Sequence, residues 1–218
     1  MTVASMSIFL GYEAGNDVST GNNNIGIGFQ AMNAATTGGD NIAIGRNAGD
    51  ALTSGYSNIL IGQDAGGTIS EGDKHIAIGY KALSQVTTND YMNVAIGYEA
   101  GYDTITNGYS TYVGTYAGRN LDGGSGRNVG IGHAALRGPN SDTNTAQYSV
   151  AIGWESQYNI TTGKNNVTVG YEAGQDLTTG SGSVFLGKDA GLSVTTGNQN
   201  IAIGYDALNG GTTTGDNN

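Results

Sequence analysis

A unit of seventeen residues, built around the pentad NIAIG, recurs along this chain. Residues 41–57 read NIAIGRNAGDALTSGYS, and residues 58–74 repeat them as NILIGQDAGGTISEGDK. Counting the asparagine of the pentad as position one, we find twelve copies that each have a glycine at position five. These glycines are Gly11, Gly28, Gly45, Gly62, Gly79, Gly97, Gly114, Gly132, Gly153, Gly170, Gly187 and Gly204. Because units of this length stack into solenoids, residues 1–218 are predicted to form a single repeat domain.

Each unit carries the signature of short strands. Positions two and four are Ile, Val or Leu in every copy except for Thr111, and this alternation predicts a strand with both side chains on one face. A further aliphatic residue at position twelve, as at Leu52 and Leu177, precedes TTG or a variant of it, which predicts a second short strand. Two or three glycines per unit exclude a helix. The fold class is therefore all-β: a parallel β-solenoid, or β-roll, of about twelve coils.

Position three is apolar where a surface strand should be polar, and only Thr168 is both polar and non-aromatic there. The strand is thus apolar on both faces, and one of them needs a cover outside the coil. An apolar stripe about 55 Å long exceeds what soluble monomers expose, so we expect copies of the chain to pack around a symmetry axis. The predicted interface residues are Phe9, Ala43, Leu60, Ala77, Ala95, Tyr112, Ala151, Phe185 and Ala202.

Composition excludes several classes of partner. A net charge of −10 with only eight Lys and Arg argues against nucleic acid, and no apolar run is long enough for membrane insertion. The absence of cysteine rules out disulfides and thiolate metal sites. No cofactor is expected. Acidic residues recur at position seven, and calcium remains open there because it prefers oxygen ligands, although no specific calcium motif supports it. They are Glu13, Asp64, Glu99, Glu155, Glu172, Asp189 and Asp206.

No enzyme activity is expected, because catalysis needs unlike groups that converge and repeats supply identical ones. His75 and His133, the two histidines, are interpreted as surface or turn residues. Position six is often aromatic, which indicates either a stacked ladder or a surface for sugar rings. The irregular stretch is an outward insertion near 137–148, and such loops often bind partners. The candidate receptor contacts are Asn140, Ser141, Asp142, Tyr148 and Trp154.

The pentads, with SVAIG literally at residues 149–153, resemble the head repeats of trimeric autotransporter adhesins. The segment TTGNQNIAIGYDAL at 195–208 is similar to repeats of bacteriophage tail-fibre proteins. The resemblance implies a homotrimeric β-prism fibre, located in a virion tail fibre or at an extracellular or cell surface, that attaches to a host glycan or protein receptor. The seventeen-residue period is longer than that of the adhesin heads, and no neck motif or coiled coil is present.

Three other interpretations stay open. A bacterial trimeric autotransporter adhesin head would have the same fold, but it would belong to a bacterial surface instead of a phage particle. A monomeric ice-binding solenoid is suggested by threonine pairs such as Thr161–Thr162, although only one threonine per strand can join a flat array and Ser70–Glu71 interrupts it. A polysaccharide-cleaving tailspike would need a carboxylate pair at a defined separation.

Overall fold

In the computed structural model, residues 6–35, 37–86, 92–104, 108–121, 126–140, 144–210 and 214–218 are described. Twelve strands of three residues follow one another along the chain. They are β1 Ile8–Leu10, β2 Ile25–Ile27, β3 Ile42–Ile44, β4 Ile59–Ile61, β5 Ile76–Ile78, β6 Val94–Ile96, β7 Thr111–Val113, β8 Val129–Ile131, β9 Val150–Ile152, β10 Val167–Val169, β11 Val184–Leu186 and β12 Ile201–Ile203. Among the described residues there is no helix long and apolar enough to span a membrane.

All twelve strands belong to one parallel sheet in which the spatial order is the order along the chain. Equivalent residues pair directly, so that Ile25 lies beside Ile42 and Gly26 beside Ala43. Each repeat is therefore one coil, and the chain makes about eleven turns between β1 and β12. The predicted parallel β-solenoid is confirmed. The predicted assembly with other copies of the chain stays a prediction.

The prediction of two strands per coil is wrong for the described residues, which contain one strand per coil and otherwise only isolated bridges, such as that between Gln147 and Lys164. The amide of the position-twelve residue turns back instead of pairing with the next coil. For example, Leu52 donates to the carbonyl of Gly49 at 3.1 Å. Pairing with the next coil resumes at position thirteen, where Thr53 donates to the carbonyl of Ser70 at 2.8 Å.

The coil turns through residues in the left-handed backbone region. Positions seven, nine and seventeen have φ near 55° in most copies, including Glu13 (53°) and Ala134 (51°), which costs energy for residues other than glycine. Position five has φ between 121° and 143°. A Cβ on Gly45 would lie 2.5 Å from the carbonyl oxygen of Gly62 in the next coil. Conformation and close approach together explain why position five is glycine in all twelve copies.

Position three points into the coil, and the prediction that its residues line a subunit interface is wrong. Phe9 is partly buried against the core, and the others are 0% exposed except Ala202 at 4%. The residues that were predicted for the interface and instead face the interior of the coil are Phe9, Ala43, Leu60, Ala77, Ala95, Tyr112, Ala151, Phe185 and Ala202. The physical reason is the narrow interior, which accepts one side chain per coil from the strand. The two larger aliphatic residues at positions two and four therefore face outward.

Position nine compensates for the size of position three. Coils with an aromatic residue at position three have glycine at position nine, as in Tyr112 with Gly118 and Phe185 with Gly191. A Cβ on Gly191 would lie 2.7 Å from the Phe185 ring. Coils with leucine at position nine have alanine or glycine at position three, as in Ala77 with Leu83. The solenoid core thus reaches close packing by exchanging volume between these two positions.

Candidate functional site

A buried polar ladder runs beside the sheet at position one, and the sequence analysis missed it. The side chains at this position are fully or almost fully buried from the second coil to the eleventh. They are Asn24, Asn41, Asn58, His75, Asn93, Ser110, Asn128, Ser149, Asn166 and Ser183, and Asn200 continues the column. The signal was present in the sequence, because this column is always Asn, Ser or His.

Where one asparagine follows another in this ladder, as at Asn41 and Asn58, the later residue donates three hydrogen bonds. The backbone N–H and the Nδ2 of Asn58 both donate to Oδ1 of Asn41, at 2.9 and 3.0 Å. The same Nδ2 also donates to the carbonyl of Gly72 at 2.8 Å. Since buried amides are costly when unpaired, this arrangement fixes the register of successive coils. The ladder is a structural element and offers no open site.

His75 interrupts this ladder, and its interpretation as a surface or turn residue is wrong because it is 0% exposed. Its backbone N–H donates to Oδ1 of Asn58 at 2.9 Å. Its Nδ1 accepts the backbone N–H of Asn93 at the longer distance of 3.4 Å. The ring therefore takes the place of an asparagine amide and has no access to a substrate.

The outward face of the sheet is a continuous aliphatic stripe formed by positions two and four. Between the end coils these side chains are partly exposed, reaching 37–38% at Ile96, Ile131 and Ile152. At the two ends they are more exposed, with Leu10 at 66% and Ile203 at 67%. Thr111 is the polar member of the stripe. Apart from Thr111, this surface is apolar over the whole length of the sheet.

Aromatic residues at position six border this stripe and stack along the axis of the solenoid. Tyr80 and Tyr98 have centroids 4.9 Å apart and planes at 21°, and His133 stacks on Trp154 at 3.9 Å and 14°. One face of each stacked ring is therefore covered by its partner, while Tyr98 and Trp154 remain 44% and 47% exposed. Hydrogen bonding to Glu13, then the charge of that carboxylate and burial, raise the pKa of Tyr12 in this column.

Only Asn140, Tyr148 and Trp154 of the predicted receptor contact are described. Asn140 is exposed and accepts a 2.7 Å hydrogen bond from Nδ2 of Asn120. Tyr148 precedes β9 and its hydroxyl is 3.4 Å from Nη1 of Arg127, whereas Trp154 follows β9 and belongs to the aromatic column. Ser141 and Asp142 lie outside the described residues.

Carboxylates of the acidic column at position seven form hydrogen bonds or ion pairs with neutral or basic neighbours. Nε2 of Gln30 donates to Glu13 at 2.7 Å, and Lys188 pairs with Asp189 at 2.6 Å. These contacts offset the repulsion that a ladder of carboxylates would have. Within the part of the chain that the structure describes, no three His, Cys, Asp or Glu residues are grouped as ligands for a metal ion.

Threonines at position thirteen use their hydroxyls inside the stack of coils. Oγ1 of Thr53, Thr161 and Thr178 donates to the carbonyl of the following coil at 3.0–3.1 Å. These hydroxyls are thus engaged with the backbone, whereas the threonines of the next position, such as Thr162 and Thr179, are exposed.

Position ten contains a cluster that the sequence analysis also missed. In four consecutive coils this position is Tyr102, Arg119, Arg137 and Tyr158. The guanidinium carbons of Arg119 and Arg137 lie 5.2 and 5.6 Å from the centroid of the Tyr116 ring. The visible signal was that three of the four arginines in an acidic chain fall between residues 119 and 137.

No protein-family model, curated protein or solved structure matches this chain. Its function is therefore inferred from the geometry of its own surfaces.

Proposed function

We propose that this chain is the rigid shaft or head of a homotrimeric fibre that attaches to a host surface, as a phage tail fibre does. The observation that carries the proposal is the aliphatic stripe on the outward face of the sheet. It extends from β1 to β12, and every residue in it is Ile, Val or Leu except Thr111. A soluble protein rarely leaves such a surface uncovered, and further copies of the same chain are its occupant in this proposal.

The dimensions of the surface suit an interface between copies. Eleven steps of about 4.8 Å give a length of about 53 Å, and the three-residue strands are about 10 Å wide, which gives about 500 Å² on each copy. Two such stripes bury about 1,000 Å² in total, which reaches the size expected of a specific interface. A narrow stripe on each of three solenoids can be buried around one axis, whereas a wide flat face would favour a dimer.

A parallel arrangement also accounts for the polar member of the stripe. Rotation about an axis along the solenoid places each coil opposite the same coil of the other copies. Ile96 then meets Ile96, and Thr111 meets Thr111, where the hydroxyls can hydrogen-bond to each other. An antiparallel dimer would instead bury Thr111 against aliphatic side chains. The proposed fibre is therefore parallel, stiff and closed around its axis, and repeated weak surface contacts would give it avidity.

Solution mass by light scattering at micromolar concentration tests this function. The monomer mass is 22.1 kDa, so the proposed trimer has a mass of about 66 kDa. The double variant Ile96→Asp/Ile131→Asp places carboxylates in the stripe and is expected to yield a smaller species. Thr162→Asp, an exposed residue at position fourteen, is the matched control and should leave the mass unchanged. A wild-type mass of 22 kDa would overturn the proposal.

A further inference from the structure

Arg119 and Arg137 are neighbours on adjacent coils. The backbone N–H of Gly138 donates to the carbonyl of Arg119 at 3.0 Å, which places the two arginines side by side at position ten. The ring of Tyr116 lies beneath both guanidinium groups. Tyr102 and Tyr158 flank the pair from the coils before and after, at 5.7 and 5.1 Å from the nearer guanidinium carbon to the ring centroid. Side chains from four consecutive coils thus form one surface cluster. Its two cationic residues, Arg119 and Arg137, are here called the arginine pair.

The charges of the arginine pair are only partly compensated. Nε of Arg119 forms an ion pair with Glu99 at 3.2 Å. Among the described residues no carboxylate lies within ion-pairing distance of Arg137, whose Nη1 donates to the hydroxyl of Tyr158. Nε of Arg137 is buried and has no hydrogen-bond partner in the described structure. Two adjacent cations with a single ion-paired carboxylate leave a local excess of positive charge in a protein of net charge −10.

An aromatic surface continues from the arginine pair. Tyr116 contacts His133 edge-on at 6.0 Å, and His133 stacks on Trp154. The indole is 47% exposed and ends a row of rings that begins with Tyr116 beneath the guanidinium groups. Nδ1 of His133 is buried and without a partner among the described residues. An anionic group beside a carbon-rich ring face is the combination that a sugar acid presents.

From this arrangement we propose that Arg119 and Arg137 bind the carboxylate of a uronic or sialic acid unit in an acidic glycan, with the sugar ring packed along Tyr116 and His133 toward Trp154. Guanidinium groups match carboxylates in a two-point geometry, and ligand sites combine apolar walls with a few placed polar groups. The inference rests on the proposed attachment function, because it names the class of partner that the fibre would bind. The arginines lie outside the sheet, and only His133 and Trp154, in the aromatic border, are next to the aliphatic stripe.

Calorimetric titration of the full chain tests the proposal. The probes are tetragalacturonate, a hyaluronan tetrasaccharide and sialyllactose, each compared with its carboxyl-reduced form. At least one acidic probe should bind, and its reduced form should bind at least tenfold more weakly. Arg119→Gln/Arg137→Gln should weaken binding by on the order of tenfold or more. Arg46→Gln, an exposed arginine at position six of a distant coil, is the matched control and should bind like the wild type.

Arg137→Lys keeps the charge but loses the two-point geometry, and it should also weaken binding if the site recognises a carboxylate. Thermal unfolding of each variant separates loss of binding from loss of fold. Absence of binding for all three acidic probes, or equal binding by Arg137→Lys and the wild type, would overturn the proposal. So would inorganic sulfate that binds as well as any oligosaccharide. A mass of about 66 kDa with no glycan binding would refute this inference while the proposed fibre stands, and a 22 kDa protein that binds glycan would do the reverse.

Discussion

Replacing Gln157 by leucine tests the packing of the solenoid core. Gln157 occupies position nine, where its backbone φ is 54°. The side chain is 0% exposed, and both Nε2 and Oε1 lack a hydrogen-bond partner in the described structure. A buried polar group without a partner costs about 1–3 kcal/mol, so this amide should destabilise the native state by an amount in that range or above it.

Leucine is already accepted at position nine in other coils. Leu83, Leu136 and Leu208 have φ between 49° and 56°, which matches Gln157. Each of them accompanies alanine or glycine at position three, and Gln157 likewise accompanies Ala151. The substitution therefore removes the unpaired amide without a change in backbone strain or in the required volume. We expect the free energy of unfolding to rise by about 2 kcal/mol.

Urea and thermal unfolding, followed by circular dichroism at fixed protein concentration, measure this effect. For a chain of this length, about 2 kcal/mol corresponds to an increase of about 4–8 °C in Tm. The matched control is Leu83→Gln, which creates the same buried amide in an equivalent position and should lower stability by a similar amount or more. A Gln157→Leu variant that is no more stable than the wild type would refute the argument that this amide is unpaired in a dry core.

Two further substitutions follow from the ladders. His75→Asn should raise the free energy of unfolding by about 1 kcal/mol, because Oδ1 would accept from Asn93 at a shorter distance than the present 3.4 Å; a lower urea midpoint would contradict this. Gly45→Ala should prevent folding or lower the free energy of unfolding by more than about 3 kcal/mol, because the added Cβ would lie 2.5 Å from the carbonyl oxygen of Gly62. Gly204→Ala is the matched control, since Gly204 also has a positive φ but no atom lies within 4 Å of its added Cβ. Equal midpoints for these two alanine variants would show that conformation, and not contact between coils, requires the glycine.

The repeat length and the glycine column were sufficient to predict the parallel solenoid. They could not decide which face of the strand lies inside, because positions two, three and four are all apolar. The exchange of volume between positions three and nine would have decided it, since Tyr112 needs Gly118 as a neighbour only if both side chains share the interior. The second strand was predicted from the aliphatic residue at position twelve and the TTG that follows it, but the left-handed residues at positions seven and nine turn the chain before a ladder can form.

The polar features were harder to predict for a different reason. Asparagine before a strand is usually a turn residue, and nothing in one repeat shows that its amide is buried. Only the column of Asn58, His75 and Asn93 across coils shows that hydrogen bonding between coils, and not local turn geometry, selects these residues. Similarly, Arg119 and Arg137 are eighteen residues apart in sequence, and their proximity appears once the coils are stacked.

The uneven volumes in the core have a consequence for folding fidelity. A chain of nearly identical units can pair a strand with the wrong coil, skipping one unit at little cost in backbone hydrogen bonds. Tyr112 is buried between glycines of its own and the following coil, Gly118 and Gly130. A coil inserted out of order would place a second large side chain in that space or leave a cavity, and either error is costly. The large residues Phe9, Leu60, Tyr112 and Phe185 therefore disfavour the pairing of a coil with the wrong neighbour, and they help to fix the order of the coils in the stack.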